Sequence, residues 1–359
     1  MKRVRSVIVG SGCHIPSEVV PNAAFLGHEF LGPDGRRLDR SNEEILAQFE
    51  AITGIRERRY VPPNLVNSDI ACDAARRALE SSGVDGESLD IVVLAHNFGD
   101  VRHRAYRSDT VPALASRVKA MLKIRNPATV AVDLVFGCPG WLQGVIQCDA
   151  MIRAGDVRRA LVIGSDTLSR ISDPHDRDSL IYADGAGAVI LEARQTEDEG
   201  FLAHAVRSDT YEHSGMLHMD RSYKPDGFLE ALFLKMEGRK LYKYALNQVA
   251  GAMHAALDRA RIPLAEVKKV LIHQANGKMD DAILREFYAI GGVKEPPAEV
   301  MPMTISWLGN SSVATVPTLL DLIRKERLDG HRLDPGDVVV FASVGAGMNI
   351  NAAVYRMPR

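Results

Sequence analysis

AVDLVFGCPGWLQGVIQ (Ala131–Gln147) is the stretch whose reading decides the fold. Val130 to Phe136 is an apolar run rich in β-branched residues, interrupted once by Asp133. Such a run reads as a buried strand. Gly137 permits a sharp turn and Cys138 follows it. Pro139 stands where proline suits the first turn of a helix, because its missing N–H would have no intrahelical partner there. Leu142, Val145, Ile146 and Ala150 continue at helical spacing. A thiol between a strand and a helix N-terminus is placed for nucleophilic chemistry. The unpaired N–H groups and positive partial charge of the helix end favour thiolate over thiol. The plainer reading is a core cysteine at a βα turn, since free cysteine is commonly buried.

Outward from this stretch, the 359 residues exceed one small core and predict two domains or one large duplicated α/β unit. Hydrophobic residues at 46% and charged residues at 25% are ordinary for a soluble globular protein. A net charge of −2 gives no support for a nucleic-acid partner or a membrane surface. The longest apolar runs are strand-length and too short to span a bilayer. MKRVRSVIVGSG at the start reads as a first strand rather than a signal peptide. Cys13, Cys72, Cys138 and Cys148 show no CxxC pairing, which fits a reducing cytoplasm and argues against a disulfide framework.

In chain order, Arg3–Gly12 reads as a strand and Ala23–Phe30 as weakly helical. GPDGRRLDRSN (Gly32–Asn42) reads as a surface loop, followed by a helix over Asn42–Ile52 and the segment TGIRERRY (Thr53–Tyr60). Ser68 and Asp69 look like an N-cap for a helix running to Ser82. LDIVVLAH (Leu89–His96) reads as a buried strand, Val111–Leu122 as a helix, and Ala160–Gly164 as a strand. YADGAGAVIL (Tyr182–Leu191) reads as a glycine turn into another strand.

Part of this plan repeats. RALESSGVDGESLDIVVL (Arg77–Leu94) lies opposite AALDRARIPLAEVKKVLI (Ala255–Ile272) without a gap, at an offset of 178 residues. GDVRRALVIG (Gly155–Gly164) resembles GDVVVFASVG (Gly336–Gly345), and between them Gly137–Cys138 corresponds in order to Gly309–Asn310. Three matches in one order predict a duplicated αβ plan. Cys138 and Asn310 would then open equivalent helices in two pseudo-twofold halves, residues 1–195 and 196–359, divided near the charged segment 192–199. Parallel strands joined by helices bury both faces, which accounts for continuously apolar strands.

Three polar residues fall at strand ends in this plan. Cys138 is one. His273 closes VKKVLI and opens HQAN (His273–Asn276), and Asn310 lies in WLGNSS (Trp307–Ser312) before the helical pattern VATVPTLLDLI. The C-terminal strand ends of a parallel α/β sheet face one crevice, the usual place for chemistry. A thiol, an imidazole and a carboxamide converging there suit acyl transfer: the thiolate takes an acyl group from a thioester, while His273 and Asn310 donate to an oxyanion. SVGAGMN (Ser343–Asn349) adds glycines whose N–H groups can approach a carbonyl oxygen beside the Cys138 N–H. Taken singly, His273 reads equally as a structural histidine and Asn310 as a turn residue or cap. His96 reads as structural, and SDPHDRD (Ser172–Asp178) as a hydrogen-bonded loop rather than a metal site.

Together these residues resemble the thiolase-superfamily condensing enzymes, and within them the β-ketoacyl-acyl-carrier-protein synthase III group. The resemblance runs from TGIRER (Thr53–Arg58) through the cysteine turn, GSDTLSRISDPHDRD (Gly164–Asp178), DGAGA (Asp184–Ala188), HQAN and GNSSVATVP (Gly309–Pro317) to GAGMN (Gly345–Asn349). It implies an α/β fold of the thiolase-like duplicated αβαβα five-layered type, a homodimer, and a Cys–His–Asn triad at Cys138, His273 and Asn310. It also implies an oxyanion hole from the main chain of Cys138 and of Gly345, Ala346 and Gly347. An acyl-CoA or acyl-ACP (acyl carrier protein) donor would acylate Cys138. Malonyl-ACP would then lose CO2 and attack the acyl group, giving a β-ketoacyl thioester two carbons longer with no metal or redox cofactor. Asn276 would hold His273 in orientation.

Departures bear on the substrate. Where typical members place a tryptophan that stacks on the adenine of coenzyme A, this chain has Gln48 with Phe49 beside it; the other adenine-stacking position is kept as Arg177. Arg56, Arg58 and Arg59 could meet a phosphopantetheine arm or an acidic carrier, or form a solvated loop. Trp141 could shape the acyl pocket or pack in the core. CPGW with the insertion at Gly32–Asn42 looks like a side branch associated with aryl-polyene or dialkylresorcinol-type lipids. The segment Thr210–Arg239, rich in His, Met, Tyr and Phe, reads as a pocket cover of undetermined fold. The alternatives are an acyltransferase forming an ester or amide without condensation, a non-catalytic partner subunit, and a papain-like hydrolase. The last would not predict the duplicated pattern.

Overall fold

The structure is a computed structural model that describes residues 2–226 and 230–359. Up to Thr196 the chain forms strands β1 (Arg3–His14), β2 (Glu18–Pro21), β3 (Glu57–Tyr60), β4 (Ile91–His96), β5 (Asp100–Val101), β6 (Ser108–Asp109), β7 (Val130–Val135), β8 (Arg159–Thr167) and β9 (Asp184–Thr196). Its helices there are α1 (Asn42–Thr53), α2 (Asn67–Ser82), α3 (Leu114–Met121) and α4 (Gly140–Ala154). Beyond it come β10 (Gly200–Ser208), β11 (Leu217–Asp220), β12 (Phe233–Met236), β13 (Val267–Ile272), β14 (Val338–Gly345) and β15 (Asn349–Arg356). These alternate with α5 (Thr210–His213), α6 (Gly238–Ala260), α7 (Gly277–Ile290), α8 (Ile305–Leu308) and α9 (Thr315–Arg324).

Duplication is written in the strand orders. One sheet runs β1-β9-β8-β4-β7 and the other β10-β15-β14-β13. In each, two antiparallel pairings (β1 with β9 and β9 with β8; β10 with β15 and β15 with β14) lead into a parallel one (β8 with β4; β14 with β13). The parallel strands are covered on both faces. Helices α2 and α3 pack on the outer face of the first sheet and α6, backed by α7, on the outer face of the second. Helices α4 and α9 fill the space between the sheets with a core that includes Leu142, Val145, Val162, Leu319, Leu320 and Phe341. Five layers result, because each sheet has two apolar faces and needs helices on both.

Local boundaries differ from the sequence reading for identifiable reasons. Helix α2 is capped at Val66 rather than at Ser68. Asp69 accepts from the Val66 N–H at 2.9 Å, while the Ser68 hydroxyl donates to Asp100. The reading of Ala23–Phe30 as helical reduces to one 3₁₀ turn, Asn22–Phe25. Strand β7 is not the buried strand that its composition suggests. It is the outermost strand of its sheet, and Val130, Val132 and Val135 stand exposed on it. Asp133 within it accepts from the N–H groups of Leu114 and Ala115, both at 2.7 Å, and so opens α3 three residues later than the apolar pattern does.

Helix α2 lies so close to β1 that a Cβ at Gly12 would collide with the Ala74 carbonyl oxygen and the Ala78 amide. Gly12→Ala is therefore expected to cost ~2–3 kcal/mol in urea unfolding. Gly54→Ala, at φ +75° with open space around its Cβ, should cost only ~1 kcal/mol. Equal losses would mean that this helix–strand approach does not limit stability.

Candidate active site

Strand β7 delivers Cys138 through a turn that only glycines allow. Gly137 has φ +75°, and a Cβ there would press on the Ala346 amide. The end of β14 closes on the same point, where a Cβ at Gly345 would lie 2.6 Å from the Cys138 nitrogen. Pro139 is the N-cap of α4 rather than its first residue, so Cys138 sits one step outside the helix. The turn carrying the last glycines is pinned by Asn349, whose side-chain amide donates to the Ala346 carbonyl at 2.9 Å, and by Thr210, which donates to the Gly347 carbonyl at 2.8 Å.

A polar chain supports the thiol from behind. The Ser312 hydroxyl donates to Cys138 Sγ at 3.3 Å and accepts from Asn97 Nδ2 at 2.9 Å. Asn97 in turn donates to Asp166 from its main chain at 2.9 Å and from its side chain at 2.6 Å. Asn310 is fixed on both sides. Its N–H donates to the Ile181 carbonyl and its carbonyl accepts from Ala183, each at 2.9 Å. Its Oδ1 accepts from the Ser312 N–H at 2.8 Å, which leaves the amide NH2 as the available donor. His273 is buried, with Nδ1 unpartnered among the described residues.

Burial sets the protonation states. It pushes the Cys138 thiol up to about 12, with Asp166 adding to the rise and the Ser312 hydroxyl opposing it. The expectation of a resting thiolate is thus corrected: in an apolar chamber, desolvation of the anion outweighs the pull of the donors around it. Burial also lowers His273 to about 4, against a main-chain hydrogen bond at Ser312, so the imidazole is neutral at pH 7.

Cys138, His273, Asn310, Gly345, Ala346 and Gly347 all line one cavity of about 380 Å³. Its remaining wall is mostly apolar, including Phe98, Phe136, Leu168 and Val344. The hairpin of β11 and β12 roofs it with Leu217, Met219, Leu234 and Met236, which gives the 210–239 segment its fold; residues 227–229 of that segment lie outside the described residues. A second cavity of about 490 Å³ adjoins the first and shares Ile181, Met236, Leu241, Ala275 and Met279 with it. Gln48, Phe49, Arg177 and Asn276 line this outer cavity.

Other expected binding residues lie elsewhere. Trp141 is buried in the core between the sheets, edge-on to Phe341 at 5.9 Å, and lines neither cavity. It points inward because α4 is sandwiched on both sides. Arg58 is fully buried over the Phe25 ring and donates to the carbonyls of Leu180 and Val20 and to Asn22 Oδ1, so it is a structural clamp. Arg59 pairs with Glu57 and the Trp307 carbonyl. Arg56 is exposed and lines neither cavity. Asn276 caps α7 by accepting from the Met279 N–H at 3.1 Å and makes no hydrogen bond to His273. The loop after His273 is instead held by Gln274, which accepts from the N–H groups of Thr304 and Ile305 and donates to the Pro302 carbonyl. Asn97, Asp166 and Ser312 were missed as site residues, although each stands beside a residue or motif singled out above. Asp173 and Asp176 bind Lys235, which confirms a hydrogen-bonded loop in SDPHDRD.

Comparison with known proteins agrees with this geometry. The family model for 3-oxoacyl-[acyl-carrier-protein] synthase III matches residues 132–210, and the model for its C-terminal part matches residues 257–357. A β-ketoacyl-[acyl-carrier-protein] synthase III of Erythrobacter litoralis is 33% identical over 356 residues, covering 98% of this chain and 99% of the relative. The crystal structure of 3-oxoacyl-(acyl carrier protein) synthase III from Pseudomonas aeruginosa PAO1 superposes with a TM-score of 0.79 at 28% identity, over 99% of each chain. The priming β-ketosynthase of the R1128 polyketide pathway gives a TM-score of 0.81 at 25% identity, over 99% of this chain and 97% of that one. By sequence over its whole length and by fold, the chain belongs to the 3-oxoacyl-[acyl-carrier-protein] synthase III family of condensing enzymes.

Proposed function

We propose that Cys138 is the nucleophile of a decarboxylative condensation in fatty-acid or specialised-lipid synthesis. Its donor is an acyl-CoA or acyl-ACP thioester and its extender a malonyl-ACP thioester. The observation that carries this reading is the convergence of Cys138, His273, Asn310 and the Gly345–Gly347 turn on one apolar chamber. The outer cavity, with Arg177 and Arg239 in its wall, suits the phosphopantetheine arm of either carrier. No metal or redox cofactor enters the scheme.

Cys138 loses its proton as Sγ attacks the donor carbonyl, and the departing carrier thiol takes that proton. The oxyanion lies against the Cys138 N–H and the Gly345–Gly347 turn. Malonyl thioester then replaces the spent carrier. Its carboxylate leaves as CO2, and the bonding pair becomes an enolate that neutral His273 and the Asn310 NH2 stabilise by donation. The enolate carbon attacks the acyl-cysteine carbonyl, and Cys138 leaves as a thiolate that takes one proton from water to return to the resting thiol. An acyltransferase that forms an ester or amide would use the same acyl-enzyme without the two enolate donors, and a non-catalytic partner subunit would need neither.

A homodimer is part of this proposal. Strand β7 presents unpaired main-chain groups on its outer edge, and Val130 (54% exposed), Val132 (39%) and Val135 (67%) stand out beside Val111 (84%). An edge strand left apolar and uncovered is a template for pairing with another chain. Light scattering should give a dimer for the wild type and a monomer for Val135→Asp; a monomeric wild type sinks this part.

Intact-mass analysis with a panel of acyl thioesters tests the chemistry. Cys138→Ala should carry no acyl adduct. His273→Ala should keep the adduct but discharge it with malonyl-ACP about 10²–10³-fold more slowly. An adduct discharged only by alcohols or amines would move the assignment to acyl transfer without condensation. Because the thiol titrates near 12, alkylation of Cys138 by iodoacetamide should rise roughly tenfold per pH unit from pH 7 to 9. A plateau in that range would show a resting thiolate.

A further inference from the structure

Two side chains in the inner cavity wall hold buried polar atoms with no hydrogen-bond partner among the described residues. One is His273, already given a part in the reaction. The other is Tyr182, whose hydroxyl is unpartnered on a residue only 3% exposed. Asn310 keeps its NH2 for the enolate, and other polar wall groups are engaged: Asn97 with Asp166 and Ser312, Ser312 with Cys138, and Asn349 with Ala346.

Tyr182 is fixed where it stands. Its main chain bridges to Asn310, and its ring belongs to an apolar cluster with Leu168, Ile171, Ile181 and Leu234. Burial raises its pKa, and the Asp176 and Asp178 carboxylates, then Cys138, add to the rise. The hydroxyl therefore stays protonated and remains a donor. A buried hydroxyl without a partner is costly and is retained where something supplies an acceptor.

We infer that Tyr182 selects the acyl donor: its hydroxyl donates to an acceptor oxygen, carbonyl or hydroxyl, carried on the acyl chain near the thioester. The preferred substrate class is then an oxygenated acyl thioester rather than a plain alkyl one. This rests on the condensing reading above, with Cys138 as the acylated residue. A pocket built to pair a polar group discriminates strongly against the analogue that lacks it.

The test compares acylation rates of Cys138, by intact mass, for acyl-CoA donors of equal length. One set is plain; the others carry a keto or hydroxyl oxygen at successive carbons. The wild type should favour at least one oxygenated donor by about tenfold or more, and that ratio should collapse toward unity in Tyr182→Phe. Iodoacetamide alkylation of Cys138 in the variant reports whether the site is still assembled. Equal wild-type rates for plain and oxygenated donors would overturn the inference alone, as would a preference that survives in Tyr182→Phe. No acylation by any donor would overturn the condensing reading and this inference with it.

Discussion

The site depends on how closely the end of β14 lies against the main chain of Cys138. That approach leaves no room for a side chain at Gly345 or Gly137. The two glycines belong to different sheets, one after β7 and one closing β14. Their contact is therefore where the two halves meet as backbone rather than as side chains. Packing of α4 and α9 between the sheets brings the strand ends together. The glycines let them meet as main chain at the point where the proposed reaction puts the substrate carbonyl.

An apolar chamber around that point changes what the polar residues are. Cys138 is a thiol and His273 a neutral imidazole, because burial disfavours both charged forms. An ion pair at rest would be harder to reconcile with the apolar wall. In the proposed reaction, charge appears only as a bond to sulfur or an enolate forms, and donors placed beforehand meet it without reorganisation. The chain from Asp166 through Asn97 and Ser312 fixes the sulfur in advance and requires no mobile group.

Much of this was legible in the sequence, and the limits are instructive. Repeated segments carry local periodicity, so Arg77–Leu94 and Ala255–Ile272 mark a helix-to-strand step in each half, and Gly155–Gly164 and Gly336–Gly345 lead into β8 and β14. Strand ends then place Cys138 and His273 on one crevice, while Asn310, read as a strand-end residue, reaches it from the turn after α8. What local pattern cannot carry is partnership across the chain. Arg58 reads as a loop cation until Leu180, 122 residues on, turns out to accept its hydrogen bond. Trp141 reads equally as a pocket or a core residue until the second sheet covers it with Phe341. The valines of β7 read as core because composition does not say which strand is outermost.

The halves are also unequal where it matters. In the first, β7 extends the sheet and carries Cys138; in the second, among the described residues, the segment before Asn310 forms no strand beside β13, and a main-chain hydrogen bond from Val270 to the Val300 carbonyl marks its place. With no strand there, the backbone around 302–305 folds over Gln274, which fixes the loop leaving His273. The first half keeps a straight strand to aim a nucleophile and accepts an exposed edge in return. The second gives up the edge and gains a positioned imidazole and carboxamide. Turns from the two halves face one cavity, and in the proposed reaction one holds the group that forms a bond and the other the groups that steady the charge.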